Sequence, residues 1–156
     1  MEKYKIVVAH DSDNFFNEAL SEISSGPEHF KNLNLLLQHL SNGSPKMTLA
    51  SFEKFFKAGG IIVIATHNNE IIGMATLVTV TKLNGVTGRI EHVVVDPVHQ
   101  GNGLSRKLMD ELIKIARSKK LRYLDLTTEP KRIAANGLYQ SLGFIKRETN
   151  PYRLIL

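Results

Sequence analysis

Apolar and polar positions along the chain first follow a helical spacing, then alternate as in strands, then return to the helical spacing. Residues 4 to 9 (YKIVVA) form a β-branched run that reads as a first strand. Asp11, Ser12 and Asp13 then offer helix caps, and Phe16, Ala19, Leu20 and Ile23 make an apolar stripe that Gly26 and Pro27 interrupt. Phe30, Leu33, Leu37 and Leu40 repeat the spacing until Asn42 and Gly43, and a short third helix is predicted from Thr48 to about Ala58. From Gly59 onward the sequence reads IIVIAT, a polar turn HNNE, IIGMATLVTV, a loop with Asn84 and Gly85, and RIEHVVVD. These are three strands joined by tight connections, hence antiparallel neighbours.

Leu104, Leu108, Leu112, Ile115 and Ala116 then mark an amphipathic helix, and YLDLT after it reads as a strand parallel to the one before. A last helix is predicted from Arg132 to Leu142, ended by Gly143, with two short strands around FIKR and YRLIL closing the chain. The expected fold is therefore α/β with a mixed sheet. Neither the helical first part nor the sheet-rich second part covers its own apolar face, so residues 1–156 are expected to form one domain.

Composition narrows the chemistry. The 42% apolar and 22% charged residues are those of a globular chain, and no run approaches the roughly 20 apolar residues of a membrane span. The opening MEKYKIVVAH has no secretory pattern, so a cytoplasmic protein with no membrane partner is expected. Without cysteine there is no disulfide, thiol nucleophile or thiolate ligand. The net charge of +5 is scattered, and its densest cluster, Arg117, Lys119, Lys120 and Arg122, complements a helix C-terminus; no nucleic-acid partner is expected. The six histidines lack HExxH spacing, so no metal is expected, and no G-x-S-x-G elbow occurs.

The informative segment follows the strand ending at Asp96. Pro97 cannot donate to a ladder, and VHQGNGLS leads from strand to helix. Gly101 and Gly103 permit positive φ and close approach of the backbone, while the amides and dipole of the helix start favour an anion such as a pyrophosphate. A glycine turn at this place also serves simply to reverse the chain. No Gly-Lys-Ser/Thr follows, and Arg106 stands where G-x-G-x-x-G needs its last glycine, so neither common nucleotide-binding pattern applies.

Taken together, IEHVVVDPVHQGNGLSRKLMDELI and AANGLYQSLGF resemble the GNAT superfamily of acyl-coenzyme A-dependent N-acyltransferases, chiefly over residues 59 to 147. The family turn, Gln/Arg-x-x-Gly-x-Gly/Ala, is matched by Gln100 and Gly103, with Ser105 in place of the last small residue. The resemblance implies a central sheet flanked by helices on both faces, acetyl-coenzyme A as co-substrate, and direct acetyl transfer to a primary amine in a ternary complex. It also implies that the amides of Gly101, Asn102, Gly103, Leu104, Ser105 and Arg106 hold the pyrophosphate. The main chain of Val93 and Val95 would then pair with the pantetheine arm, and Asn136 would bond to that arm or to backbone near it, unless Asn136 is only an exposed polar group. The acceptor would lie around Gly26 to Phe30 and Thr149 to Tyr152.

An amine of pKa about 10.4 is only about 0.04% neutral at pH 7, so transfer needs a base. Strand alternation puts Glu91 on the face of Val93 and Val95, which makes it the candidate, with an ion pair to a residue such as Arg89 as the structural alternative. The departing thiolate needs a proton donor, and in the resemblance Tyr139 of LYQSLGF takes that place; otherwise it is a packing aromatic. A non-catalytic acyl-coenzyme A sensor is the rival reading, and a homodimer through the final strands is a possible assembly.

Overall fold

The computed structural model describes residues 3–10, 26–41, 43 and 45–156, which divide between two compact units, Met1–Leu126 and Thr127–Leu156. The first unit is built on a five-stranded sheet in the order β1-β2-β3-β4-β5. Its strands are β1 (Lys5–Ala9), β2 (Ile61–His67), β3 (Glu70–Lys82), β4 (Gly85–Val95) and β5 (Leu124–Asp125). The first four are antiparallel neighbours, and β5 joins β4 in parallel through Gly88↔Leu124 and Arg89↔Asp125. The mixed sheet and the parallel crossover are as the sequence predicts. The helix expected at Phe16 to Ile23 lies outside the described residues.

Helix α1 runs over Gly26–Leu40. Helix α2 (Leu49–Lys57) is opened by a capping box in which Thr48 and Ser51 bond each other's backbone amides. Asn34 of α1 exchanges two hydrogen bonds with the backbone of Met47 and so fixes the link between these helices. Leu33, Leu36, Phe52 and Phe56 bury against Ile62, Ile64, Ile71, Met74 and Val94 of the sheet. The strand residues between these, Ile61, Val63, Ala65, Ala75, Leu77 and Ile90, point the other way. On that side α3 (Leu104–Ser118), which packs on β2, β3 and β4, buries Leu104, Leu108, Met109, Leu112 and Ile115. Helices thus cover both faces.

Gly88 sits where the crossover closes on the sheet. A Cβ there would run into Leu124 Cδ2 and would lie 2.8 Å from Leu77 Cδ1 and 2.9 Å from Leu121 Cδ1. Only a glycine lets β5 reach β4 at this level.

The second unit holds α4 (Ile133–Ser141), which stops at Leu142 and a left-handed Gly143. The strands expected at FIKR and YRLIL do not form. Ile145, Tyr152, Leu154 and Ile155 are exposed, and no ladder receives either run among the described residues. Local β-propensity does not make a strand without a neighbouring edge. Likewise YLDLT shortens to Leu124–Asp125.

Candidate active site

The end of β4 is locked before the chain turns. Asp96 N–H donates to the Ile72 carbonyl at 2.8 Å, and the Asp96 carboxylate accepts from Val98 N–H at 2.9 Å, which starts a single 3-10 turn over Pro97–His99. Asn102 Nδ2 donates back to the carbonyls of His99 and Gln100, at 3.0 and 3.1 Å. Gln100 Nε2 donates to the Val95 carbonyl at 3.0 Å. The turn is therefore held in shape by its own polar side chains.

Gly101 and Gly103 have φ of 78° and 73°, in the left-handed region where a side chain is strained. A Cβ placed on either would meet nothing within 4 Å, so the concave side of the turn is open. Gly103 caps α3 with no side-chain hydrogen bond, and the first helical backbone bond runs from Lys107 N–H to the Gly103 carbonyl. The first amides of any α-helix lack an acceptor four residues back, and the dipole adds partial positive charge at this end. Leu104 is buried and anchors this end of α3, while Ser105 is partly exposed. Such a cradle suits a diphosphate.

Along β4 the main chain prepares a second contact surface. Asp96 N–H points to β3, and because successive residues of a strand direct their polar groups to opposite sides, those of Val93 and Val95 point away from it. On that outer side β5 pairs only with Gly88 and Arg89. Beyond them no strand pairs with β4 on this side among the described residues, and Gln100 takes one acceptor site of the Val95 carbonyl. The segment expected to receive an extended ligand arm has no strand paired to its outer side among the described residues.

The side chains of β4 depart from simple alternation. Thr76 lies opposite Glu91 and Met74 opposite Val94, so His92 and Val93 together face the single residue Ala75. This is a β-bulge, and His92 adopts φ 53° within it. Glu91 consequently shares a face with Val94, the side of α1 and α2, and Val95 faces the other way; the shared face expected for Glu91, Val93 and Val95 is corrected by this extra residue. The Glu91 Oε1 atom is bound by Arg89 Nε of the same strand, an ion pair along the strand and not across it. His92 Nδ1 lies 3.1 Å from the Thr76 hydroxyl, which in turn is 3.0 Å from the Glu91 carbonyl. Desolvation pulls the His92 pKa below its ordinary value, opposed by the nearby Glu91 carboxylate.

Thr76 and His92 are residues that the sequence pattern does not select. A run of three valines after the histidine has no polar beat in which an inserted residue would show. The one signal is a histidine placed inside an otherwise β-branched segment.

In the second unit, Asn136 Nδ2 donates to the carbonyls of Glu129 and Arg132 at 3.0 and 2.9 Å and secures the start of α4. One turn on, Tyr139 is half-buried with its ring edge-on to Phe144, centroids 6.1 Å apart. Burial raises its phenol pKa, and Arg132 partly offsets the rise. Among the described residues no group of three or more histidine, acidic or cysteine side chains is placed to hold a metal ion. No helix of the described residues is long and apolar enough to cross a membrane.

Residues 30–144 match the family model of the Acetyltransferase (GNAT) family. An L-amino acid N-acyltransferase of Escherichia coli K12 is 35% identical over 104 residues, which span 66% of this chain and 60% of that protein. A glucosamine 6-phosphate N-acetyltransferase of Trypanosoma brucei brucei is 32% identical over 121 residues, 72% of this chain and 80% of that one. Among solved structures, a Trypanosoma brucei acetyltransferase superposes with a TM-score of 0.73 at 26% identity, covering 98% of this chain and 99% of its own.

Proposed function

Because the chain belongs to the GNAT acetyltransferase family, we propose that it moves an acetyl group from acetyl-coenzyme A to a primary amine by direct attack, with both substrates bound together. The observation that carries the reading is the open turn at Gly101 and Gly103, set at the start of α3 and just after the end of β4. Amides from Gly101 to Arg106 hold the diphosphate, and the main chain of Val93 and Val95 aligns the pantetheine arm as an added strand. Gln100 and Asn102 act by holding the turn in shape. Asn136, whose amide is engaged at the start of α4, supports the helix that carries Tyr139.

The chemistry needs two proton movements. A base on β4 frees the amine lone pair for attack on the thioester carbonyl, and Glu91 supplies the negative charge of that region. The Tyr139 phenol protonates or hydrogen-bonds the departing thiolate, whose ordinary pKa of about 8.5 is below that of a phenol, about 10. No covalent acyl-enzyme is needed.

Thermal denaturation with and without acetyl-coenzyme A tests the binding step: a hundredfold excess over Kd should stabilise the protein by about 2.7 kcal/mol. Thiol release is then scored against L-amino acids, glucosamine 6-phosphate, polyamines and a lysine-containing peptide. An unchanged melting curve would reject the reading. The engagement of Glu91 by Arg89 favours a second one, a sensor that binds acyl-coenzyme A without turnover. Stabilisation with no thiol release on any amine would select it.

A further inference from the structure

The bulge in β4 presents a histidine in a defined tautomer. A threonine hydroxyl has one proton, and that of Thr76 is donated to the Glu91 carbonyl at 3.0 Å. Its 3.1 Å contact with His92 Nδ1 is assigned on that ground to an Nδ1–H donating to the hydroxyl oxygen. The neutral ring then carries its lone pair on Nε2, turned away from Thr76. His92 also holds φ 53°, a conformation that costs a residue with a side chain about 1 kcal/mol or more and that clusters where a side chain is aimed for function. The next residue is Val93, whose polar groups lie on the side of β4 away from β3.

We propose that His92 is the general base of the acyl transfer, its Nε2 taking a proton from the acceptor ammonium while Glu91 steadies the imidazolium so formed. The inference rests on the acetyltransferase reading and deepens it by moving the base from the carboxylate to its neighbour. Nε2 accepts one proton from R–NH3+; the released nitrogen lone pair forms the C–N bond as the C–S bond breaks. The thiolate takes up the second proton lost by the nitrogen, and the imidazolium returns its proton to solvent, so that one proton is released per turnover.

The surroundings suit the task. On β4 the charged neighbours are Arg89 and Glu91, paired with each other, and at this level β3 contributes only the neutral Thr76 hydroxyl. Helix α1, which also packs on β3 and β4, carries His29, Lys31 and His39 among its described side chains. Desolvation lowers the His92 pKa from its ordinary value, and the Glu91 carboxylate favours the charged form once the proton arrives. Glu91 itself has one oxygen committed to Arg89, which makes it the better electrostatic partner and the poorer acceptor.

The test uses His92→Asn, since asparagine tolerates left-handed backbone, with acetyl-coenzyme A and the best acceptor found in the amine panel. The expected result is a loss of kcat of about 100-fold or more, an unchanged Kd for acetyl-coenzyme A, and disappearance of the acidic limb of the kcat/KM profile. His92→Ala should regain rate when imidazole is added to the medium. A His92→Asn enzyme that keeps both its rate and its acidic limb overturns the assignment and leaves the acetyltransferase reading intact. A wild-type protein that acetylates no amine overturns both.

Discussion

Gln100 Nε2 donates to the Val95 carbonyl across 3.0 Å, so the residue that opens the glycine turn is tied to the last residue of the strand before it. This bond sets the distance between the proposed diphosphate cradle and the edge for the pantetheine arm. Replacing Gln100 with Ala removes it without touching a glycine. A hydrogen bond of this kind is worth about 1 kcal/mol, so Kd for coenzyme A should rise about fivefold with little change in fold stability. Isothermal calorimetry reads the change; identical affinities would mean that the tether does not organise the site.

Two glycine positions should fail in opposite ways. Gly103→Ala places a Cβ in open space but forces a left-handed backbone on alanine, at about 1 to 2 kcal/mol, and its effect should appear as weakened coenzyme A binding with modest loss of stability. Gly88→Ala instead drives a methyl group into Leu124, Leu77 and Leu121, which should cost about 1 to 3 kcal/mol of stability with coenzyme A affinity retained in the folded fraction. Urea titrations and calorimetry on both variants separate the two outcomes.

The roles of Glu91 and His92 are distinguishable by the direction of a pH shift. Activity that requires neutral His92 falls as pH drops through its pKa, which desolvation places below the ordinary histidine value and the Glu91 carboxylate partly restores. Glu91→Gln removes the restoring charge, so the acidic limb should move to still lower pH, with a reduced plateau because the imidazolium is less well stabilised. Were Glu91 itself the base, the limb would vanish instead of moving.

Tyr139→Phe should lower kcat by about 10- to 100-fold and leave the Kd of acetyl-coenzyme A within a factor of two, since the hydroxyl serves only the departing thiolate. Burial raises the phenol pKa, so the protonated donor persists to higher pH than an exposed tyrosine would allow. An alkaline limb set by Tyr139 therefore lies above the ordinary phenol range and is absent from the phenylalanine variant. Equal turnover in the two proteins would exclude the acid role.

Much of this arrangement is legible before folding because its signals are local and periodic. The stripe Leu104, Leu108, Leu112 and Ile115 marks α3, and the tight turns at HNNE and Asn84-Gly85 impose antiparallel β2, β3 and β4, as found. Gln100, Gly101, Asn102 and Gly103 stand out for the same reason: left-handed turns demand particular residues. The bulge does not, because Val93, Val94 and Val95 are apolar whichever way they face, so that inserting His92 leaves the hydrophobic pattern unchanged while reversing the side of Glu91. The runs FIKR and YRLIL mislead in the other direction. Their apolar residues have the composition of strands, but a strand is a pairwise structure, and nothing within a run of five residues specifies whether an edge will accept it.

The outer side of β4 also has a colloidal meaning. Beyond Gly88 and Arg89 no strand pairs with the outer side of β4 among the described residues, and such a side is one to which an extended peptide can attach, including the same segment of another molecule. A bound pantetheine arm would occupy that side and act as its natural cover. Concentrated ligand-free protein should self-associate more readily than protein kept with coenzyme A, which light scattering at matched concentrations would reveal.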